Sequence, residues 1–482
     1  MDQPASDCLT AAAAPVSAAV PAQIAPVFPL PLSEFEDYML CDDSPSHPMV
    51  IVMLADVSGT LLEPQFRQSV ASLLQRQPLL RSRIVSANGQ NAWQPVSPAP
   101  DPVTWLKAEP LEPTACFPNV QPLDVRSGQC LRIHVWFSTQ CSRVCLELHH
   151  SCADGIAAVQ LIHELFTEYA SLTGPSNTRQ TSVGTTAPPE ELLLHRSPLG
   201  RTAATDKSRS TPLTLLPGKI ARLLFRRPAQ IADSAQRGSS PSLPVSGTPQ
   251  QAIRVCSLAA PTLQKLRTRA SEQGAALNDL LLREIFLHTA TWNLEARVGR
   301  PNHWIRIAVP ISMRDPRSAP LPACNLVSYA LVTHRIRECD DPALLLRKIQ
   351  QKTSTMRSGK DGIIALRILR VLRHVPGGVR AFLRCWPCAG TLVLANVGHV
   401  IRRCHSRLPI QQDRWLAGNV IVERICGVPP VRPNTLAAFG LTEYAGQLHI
   451  SLRTDGTRMT PDDSEDFLML FVRRLEKLVS EP

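Results

Sequence analysis

The stretch VCLELHHSCADGIAAVQLIHELF, residues 144–166, holds the side chains best suited to chemistry. Its first residues alternate as a strand, which delivers His149 and His150 to its C-terminal end. Imidazole is the side chain best matched to proton transfer near neutral pH. Successive strand residues point to opposite faces. One histidine should therefore face a cleft and the other pack or hydrogen-bond, unless the strand ends between them. Asp154 stands where a helix begins, and a carboxylate there can cap backbone N–H groups and pair with an arginine. Gly155 suits a tight turn and a close backbone approach. The plainer alternative is a satisfied histidine pair at a strand end. No metal is expected at His149, His150 and Asp154, because the spacing gives neither an H-E-x-x-H helix nor a third ligand.

Two other groups carry less. Cys385-Trp386-Pro387-Cys388 is a CxxC, but no second CxxC and no thioredoxin-like strand accompany it, so coincidence is expected. His163 falls on the polar side of the helix after Gly155 and should be solvated.

The elements that must position these residues follow from periodicity. Ser33 is a capping residue before an amphipathic turn or helix, and Met49–Val57 reads as a strand. A helix from Glu63 to Arg76 presents Phe66, Val70, Leu73 and Leu74 on one face, and Pro78 ends it. Leu79–Val85 and Trp93–Val96 read as strands around an Asn88-Gly89 turn, and Leu131–Phe137 pairs with Val144–Leu148. From Gly155 the period becomes helical, with Ile156, Val159, Ile162, Phe166 and Tyr169 on one stripe. Residues 173–250 are rich in Ser, Thr, Pro and Arg and read as an interdomain segment.

A second α/β block follows. Strand Ile253–Leu258, a helix from Pro261, helix Leu277–Trp292 and strands Trp304–Pro310 and Leu326–His334 open it. A long basic helical region, Pro342–Arg384, comes next. Strands Thr391–Val397, Thr435–Tyr444 and Gln447–Leu452 and a helix from Pro461 close it. The division expected is a tail at 1–30, a first subdomain at 31–172, a linker at 173–250 and a second subdomain at 251–482.

The chain has 482 residues, more than one ordinary core, and 44 % of them are apolar. The 43 prolines point to long non-helical connections. The net charge of +11 attracts nucleic acid, anionic membranes or anionic cofactors such as coenzyme A. No zinc-finger spacing or RNA-binding signature accompanies it, so no nucleic-acid partner is expected. From fourteen irregularly spaced cysteines, an Ala/Pro-rich start and no apolar run of spanning length we expect a reduced, cytoplasmic protein, with peripheral contact at a membrane as a second option. Two basic amphipathic segments, Leu213–Ile231 and Ile363–Arg384, could lie on an anionic membrane or lipid-droplet surface; alternatively they pack on the domains.

HHSCADG has the HHxxxDG pattern, and the chain resembles the acyltransferase superfamily that carries it. Block order is similar to that of bacterial wax ester synthase/diacylglycerol acyltransferases. The blocks are PLSEFEDYML, SHPMVIVML, PLDVRSGQCLRIHVW, LNDLLLREIF, IRIAVPISMRDP, CNLVSYALV, TLVLANVG and LTEYAGQLHISL, within residues 31–478. Departures fall on the acceptor side. Glu443-Tyr444-Ala445-Gly446 replaces Ser-Tyr-Asn-Gly, Ala395-Asn396-Val397-Gly398-His399 replaces Ser-Asn-Val-Pro-Gly, and Cys130-Leu131-Arg132 stands in place of Pro-Leu-Trp.

The resemblance implies an α/β (α+β) fold of two chloramphenicol-acetyltransferase-like subdomains, each a mixed sheet flanked by helices, with a tunnel between them. It implies acyl transfer from acyl-CoA, a co-substrate rather than a cofactor, to a hydroxyl such as a long-chain alcohol or diacylglycerol. His150 would be the general base, within a motif of His149, His150, Asp154 and Gly155. Asp154 would be structural, with Arg314 its candidate partner; a plain surface arginine is the alternative. Asn278 matches the family's Asn-Asp motif near the site, and the alternative is a helix cap. Two other functions are carried forward. One is a stand-alone condensation-like enzyme using an acyl carrier protein thioester and an amine or alcohol; the other is a non-catalytic relict scaffold.

Overall fold

The computed structural model describes residues 27–480 except 88, 109–118, 175–187, 200–225, 240–251, 358, 386–389 and 405–406. Residues 1–26, the part of the first basic segment up to residue 225, and the CxxC lie wholly or partly outside the described residues.

Two mixed sheets carry the fold. The first runs β12-β13-β14-β2-β7-β6-β5. Its strands are β2 (Val50–Ser58), β5 (Val103–Lys107), β6 (Leu131–Phe137), β7 (Cys141–His149), β12 (Ile410–Gln411), β13 (Arg414–Ala417) and β14 (Val420–Val428). The second runs β10-β9-β11-β15-β16-β8. It contains β8 (Ala252–Leu258), β9 (Trp304–Ser312), β10 (Val327–Arg335), β11 (Leu392–His399), β15 (Ala437–Tyr444) and β16 (Gln447–Thr454). Only β5–β6 is parallel in the first sheet, and β11 is parallel to both neighbours in the second. A small sheet of β1 (Leu30–Pro31), β4 (Gln90–Pro95) and β3 (Ser82–Ala87) flanks the first.

Helices α1 (Glu34–Asp42), α2 (Glu63–Arg76) and α3 (Gly155–Thr173) belong to the first half. In the second half lie α4 (Ala260–Glu272), α5 (Leu277–Glu295), α6 (Pro342–Arg357), α7 (Lys360–Arg373), α8 (Gly378–Cys385), α9 (Val400–Cys404) and α10 (Pro461–Ser480). This is the expected α/β architecture of two sheets, each flanked by helices.

Strand β7 shows how one sheet serves two environments. Val144, Leu146 and Leu148 enter the core shared with α2 and α3, whereas Cys145 joins a separate cluster with Val428 and Ile253 from the chain's second half. Every residue from Ser142 to His149 is buried, as a central strand covered on both faces requires.

The sheets do not follow the expected division at residue 250. β14 pairs antiparallel with β2, Ile425 opposite Ala55, so 410–428 completes the sheet of the first half. Trp415, on β13, covers the outer face of α3. His163 is consequently not solvated as expected. It is buried with its ring 5.0 Å from Trp415, and burial pulls its pKa down to about 4. The described parts of 173–250 are docked rather than free. Arg196 forms a buried ion pair with Glu36, while Ala232 N–H donates to Asn293 Oδ1 at 2.8 Å.

The basic region 342–384 is three helices, broken at Gly359 (φ 71°) and Gly377 (φ 68°). In α7, Ile363, Leu366 and Leu369 are buried against Phe35, Tyr38 and Met39 of α1. Arg370 pairs with Glu34 at 2.6 Å and Arg373 with Asp37 at 3.4 Å. The apolar face that a membrane would need therefore lies inside the protein, and this corrects the interfacial expectation for this segment. Among the described residues, no helix is long and apolar enough to cross a membrane.

Leu366→Ala is accordingly expected to lower the unfolding free energy by about 2–5 kcal/mol, measured by urea titration. A leucine on a water- or lipid-facing surface would change it by only about 0.5 kcal/mol.

Candidate active site

The site is built where β7 ends. The strand's last residue is His149, and His150 is already in the following turn, so the chain changes direction between the two histidines. His150 N–H donates to Met49 O at 2.7 Å, which ties the turn to β2. The loop then reaches Asp154, the N-cap of α3.

Asp154 is only 2 % exposed, and both its oxygens are fully used. Oδ1 accepts from Ile156 N–H at 3.0 Å and Ala157 N–H at 2.9 Å. Oδ2 accepts from Arg314 Nη1 and from Leu326 N–H, each at 2.7 Å. Burial by itself would raise the pKa, but Arg314 and the N–H donors hold the carboxyl below the ordinary carboxylate range. Arg314 comes from the end of β9 and also donates to Cys324 O at 3.2 Å, so it is no free surface arginine.

His150 is 7 % exposed. Its Nδ1 lies 3.1 Å from Ala153 O, an atom that can only accept. Asn325 Nδ2, 3.3 Å from the same nitrogen, has a closer acceptor in His150 O at 2.6 Å. These partners assign the proton to Nδ1 and leave Nε2 with its lone pair. Burial lowers the pKa below the usual 6.5, outweighing the nearby Asp154 charge, so the ring is neutral at neutral pH. His149 has the opposite arrangement. Its Nδ1 accepts from Ser151 N–H at 3.2 Å, which places the proton on Nε2, 3.7 Å from Asp43 Oδ2.

His150 borders a cavity of about 340 Å³ between the two halves, within the size range of small-molecule sites. Ile51 and Met53 of β2 form one wall, and Val309 and Ile311 of β9 form another. Asn278 also borders it. The cap of α5 is Ala276, so Asn278 is not the cap; its Oδ1 accepts from Asn396 Nδ2 at 3.0 Å. Gly155 borders it too, but not for the reason expected. It has no left-handed backbone, and an added Cβ would meet only Val397 Cγ2 at an ordinary 3.6 Å.

Two neighbours of the site were not singled out from sequence. Asn325 lay inside the quoted CNLVSYALV block, and its place before β10 was the available signal. Arg403 borders the cavity and donates through Nε to Val397 O. Partial burial and Arg314 lower its pKa, and among the described residues it has no carboxylate in ion-pair range. No group of three or more His, Cys, Asp or Glu among the described residues is placed to hold a metal.

Asp154→Asn is expected to cost about 3 kcal/mol, the lower end for a broken buried ion pair, because Asn can still cap α3. The loss should shrink as the pH falls through the depressed pKa of Asp154, where the wild type also loses this charge. Chemical denaturation of both proteins at pH 7 and near pH 3 measures it.

No protein-family model matches the chain, and no curated protein does. Solved structures do match. SgcC5 from Streptomyces globisporus, in complex with a naphthyl ethanediol and sucrose, is 15 % identical over 94 % of this chain and 99 % of its own, with a TM-score of 0.63. The first condensation domain of the calcium-dependent antibiotic synthetase, bound to a substrate analogue, is 13 % identical over 94 % and 97 %, with a TM-score of 0.66. A variant of the rhizomide synthetase starter condensation domain, in complex with C8-CoA, is 15 % identical over 93 % and 94 %, with a TM-score of 0.61. At such identities the likeness establishes the fold: two subdomains arranged as in condensation domains.

Proposed function

We propose that the chain is an acyltransferase in which His150 activates an acceptor for attack on an acyl thioester. One observation carries this reading. A neutral imidazole, with its proton held on Nδ1 by Ala153 O, borders a mostly aliphatic cavity between the two halves. Such a ring can accept a proton through Nε2 without first having to lose one.

The step is direct. The acceptor oxygen or nitrogen attacks the thioester carbonyl while His150 Nε2 takes its proton. The tetrahedral adduct then expels the thiolate, which recovers that proton from Nε2. Asp154 takes no part in the relay, because each of its oxygens already serves two donors. Asn278, its carbonyl tied to Asn396, keeps its amide N–H groups available to substrate. Arg403 supplies a cation for an anionic part of the donor, such as a pantetheine or coenzyme A phosphate.

Acyl-CoA with a hydroxyl acceptor is the first donor–acceptor pairing. Carrier-bound thioester with an amine is the second; a condensation-type neighbour solved with C8-CoA supports the first. Wax ester or diacylglycerol chemistry rests on the sequence resemblance alone.

His150→Ala is expected to lower thiol release from acyl-CoA or acyl-carrier protein by on the order of 10²–10⁴-fold, with the circular dichroism spectrum unchanged. Near-wild-type release would remove His150 from the role, and no release by the wild type across alcohols and amines would leave the relict-scaffold reading. Because burial lowers the pKa of His150, kcat/KM should be on its plateau at pH 7. It should fall with slope one on the acid side, with an apparent pKa below the ordinary imidazole value of about 6.5. A limb centred above that value, in a pH–rate profile with the acceptor saturating, would contradict a buried neutral base.

A further inference from the structure

A second cavity of about 130 Å³ lies beside the first, under α1, α7 and α8. Phe35, Tyr38, Ala308, Ile368, Leu369 and Phe382 give it apolar walls. Tyr329 of β10 and Val393 of β11 border both cavities, so these two residues stand between them. The partition is close to the chemistry. The Phe35 ring is 6.4 Å from the His150 ring and 5.3 Å from the Tyr329 ring.

Of the polar groups at its edge, Arg432 and Thr435 are engaged, and the Tyr38 and Tyr329 hydroxyls are not hydrogen-bonded among the described residues. Arg432 is bound to Asp42 through two nitrogens, and Thr435 Oγ1 donates to Gly390 O at 3.4 Å. Its lining is almost all carbon, which holds water poorly, and an apolar cavity of about 150 Å³ accepts a benzene ring. The second cavity is of that size class. It has room for a ring or a short branched alkyl group, and it is too small for a long chain.

We infer that this pouch binds an aryl or short alkyl substituent, carried a few bonds from the reacting carbon of the substrate, and so selects what the enzyme transfers. The inference rests on the proposed acyl transfer. The hydrocarbon group gains its binding energy by leaving water, and passage past Tyr329 and Val393 sets its width. The pouch thus favours phenylacetyl-sized groups over both acetyl and long fatty chains. The substituent belongs to the acyl group or to the acceptor, and the experiment separates the two.

Ala365 lines the pouch from α7 and is not part of the catalytic cavity. Ala365→Phe fills the space, and Val393→Ala widens the entrance. Wild type and both variants are assayed with acetyl-, hexanoyl- and phenylacetyl-CoA against ethanol, 2-phenylethanol and the matching amines. Ala365→Phe is expected to reduce kcat/KM for the phenyl-bearing substrate by roughly tenfold or more while changing that for acetyl and ethyl partners by about twofold at most. Val393→Ala should shift preference toward bulkier groups on the same substrate. The side on which selectivity changes, donor or acceptor, identifies the source of the substituent. Equal loss on all substrates in Ala365→Phe, with no shift in Val393→Ala, overturns the pouch. Benzene provides a readout independent of turnover: it should raise the melting temperature of the wild type saturably, and that of Ala365→Phe not at all. Benzene binding without acyl transfer removes the enzymatic reading and keeps the pouch, whereas no benzene binding overturns the pouch whatever the activity.

Discussion

The whole site depends on one buried carboxylate. Asp154 satisfies two backbone donors at the start of its own helix and two more, Arg314 Nη1 and Leu326 N–H, from the other half of the chain. A buried charge is tolerated only when it is paired and hydrogen-bonded. Both halves must therefore arrive together, or neither Asp154 nor Arg314 is satisfied. The segment 324–326 repeats the linkage: Cys324 O receives Arg314, Asn325 binds His150 O, and Leu326 N–H completes Asp154. The loop that aims His150 is thus held by residues some 170 positions away.

The two sheets meet at a close seam beside the cavity. Gly427 of β14 and Gly440 of β15 meet where the two sheets touch, and a Cβ on Gly440 would come within 2.3 Å of Gly427 O. Ser451 Oγ donates to that same carbonyl at 2.7 Å, and Thr442 Oγ1 accepts from Gly427 N–H at 3.1 Å. Farther along, the Tyr444 hydroxyl accepts from Trp415 N–H at 2.8 Å and donates to Val422 O at 2.9 Å. The sheets are pinned close at this seam by backbone contact. Gly427 and Gly440 also border the larger cavity, so the seam forms part of its wall.

The sequence made the local parts of this arrangement legible. A strand, a short loop and a helix cap are consecutive, so their relation follows from periodicity and from Asp at an N-cap. Most strands and helices were likewise readable, because each announces its own period. What was not readable required knowing a partner. Val420–Val428 has the composition of a strand, but nothing local says that it pairs with β2. The burial of His163 depends on Trp415, about 250 residues later, and so the polar side of α3 looked exposed. The alternating Leu and Arg of α7 suit a lipid surface and a protein surface equally well. Only the presence of Glu34 and Asp37 on α1 decides between them. Gly155 illustrates a subtler failure: a glycine invites a backbone explanation, while its position here is on a cavity wall.

The two histidines show how one fold can place identical side chains next to each other and leave only one of them with a free lone pair. His149 is the last strand residue and points into the interface between the sheets. Its Nδ1 lone pair is taken by Ser151 N–H, which forces the proton onto Nε2. That N–H is buried without a hydrogen-bond partner in reach, Asp43 being 3.7 Å away. In this tautomer neither ring nitrogen of His149 offers a free lone pair. One residue on, the strand has ended and the same side chain meets a carbonyl, Ala153 O, in place of an amide. A carbonyl demands the opposite tautomer and frees Nε2. The loop backbone, by offering an N–H to one ring and a C=O to the next, determines which imidazole can be a base. A substitution that left both side chains intact but turned one peptide of this loop would exchange the acceptor for a donor, and it would move the His150 proton to Nε2 without touching the ring.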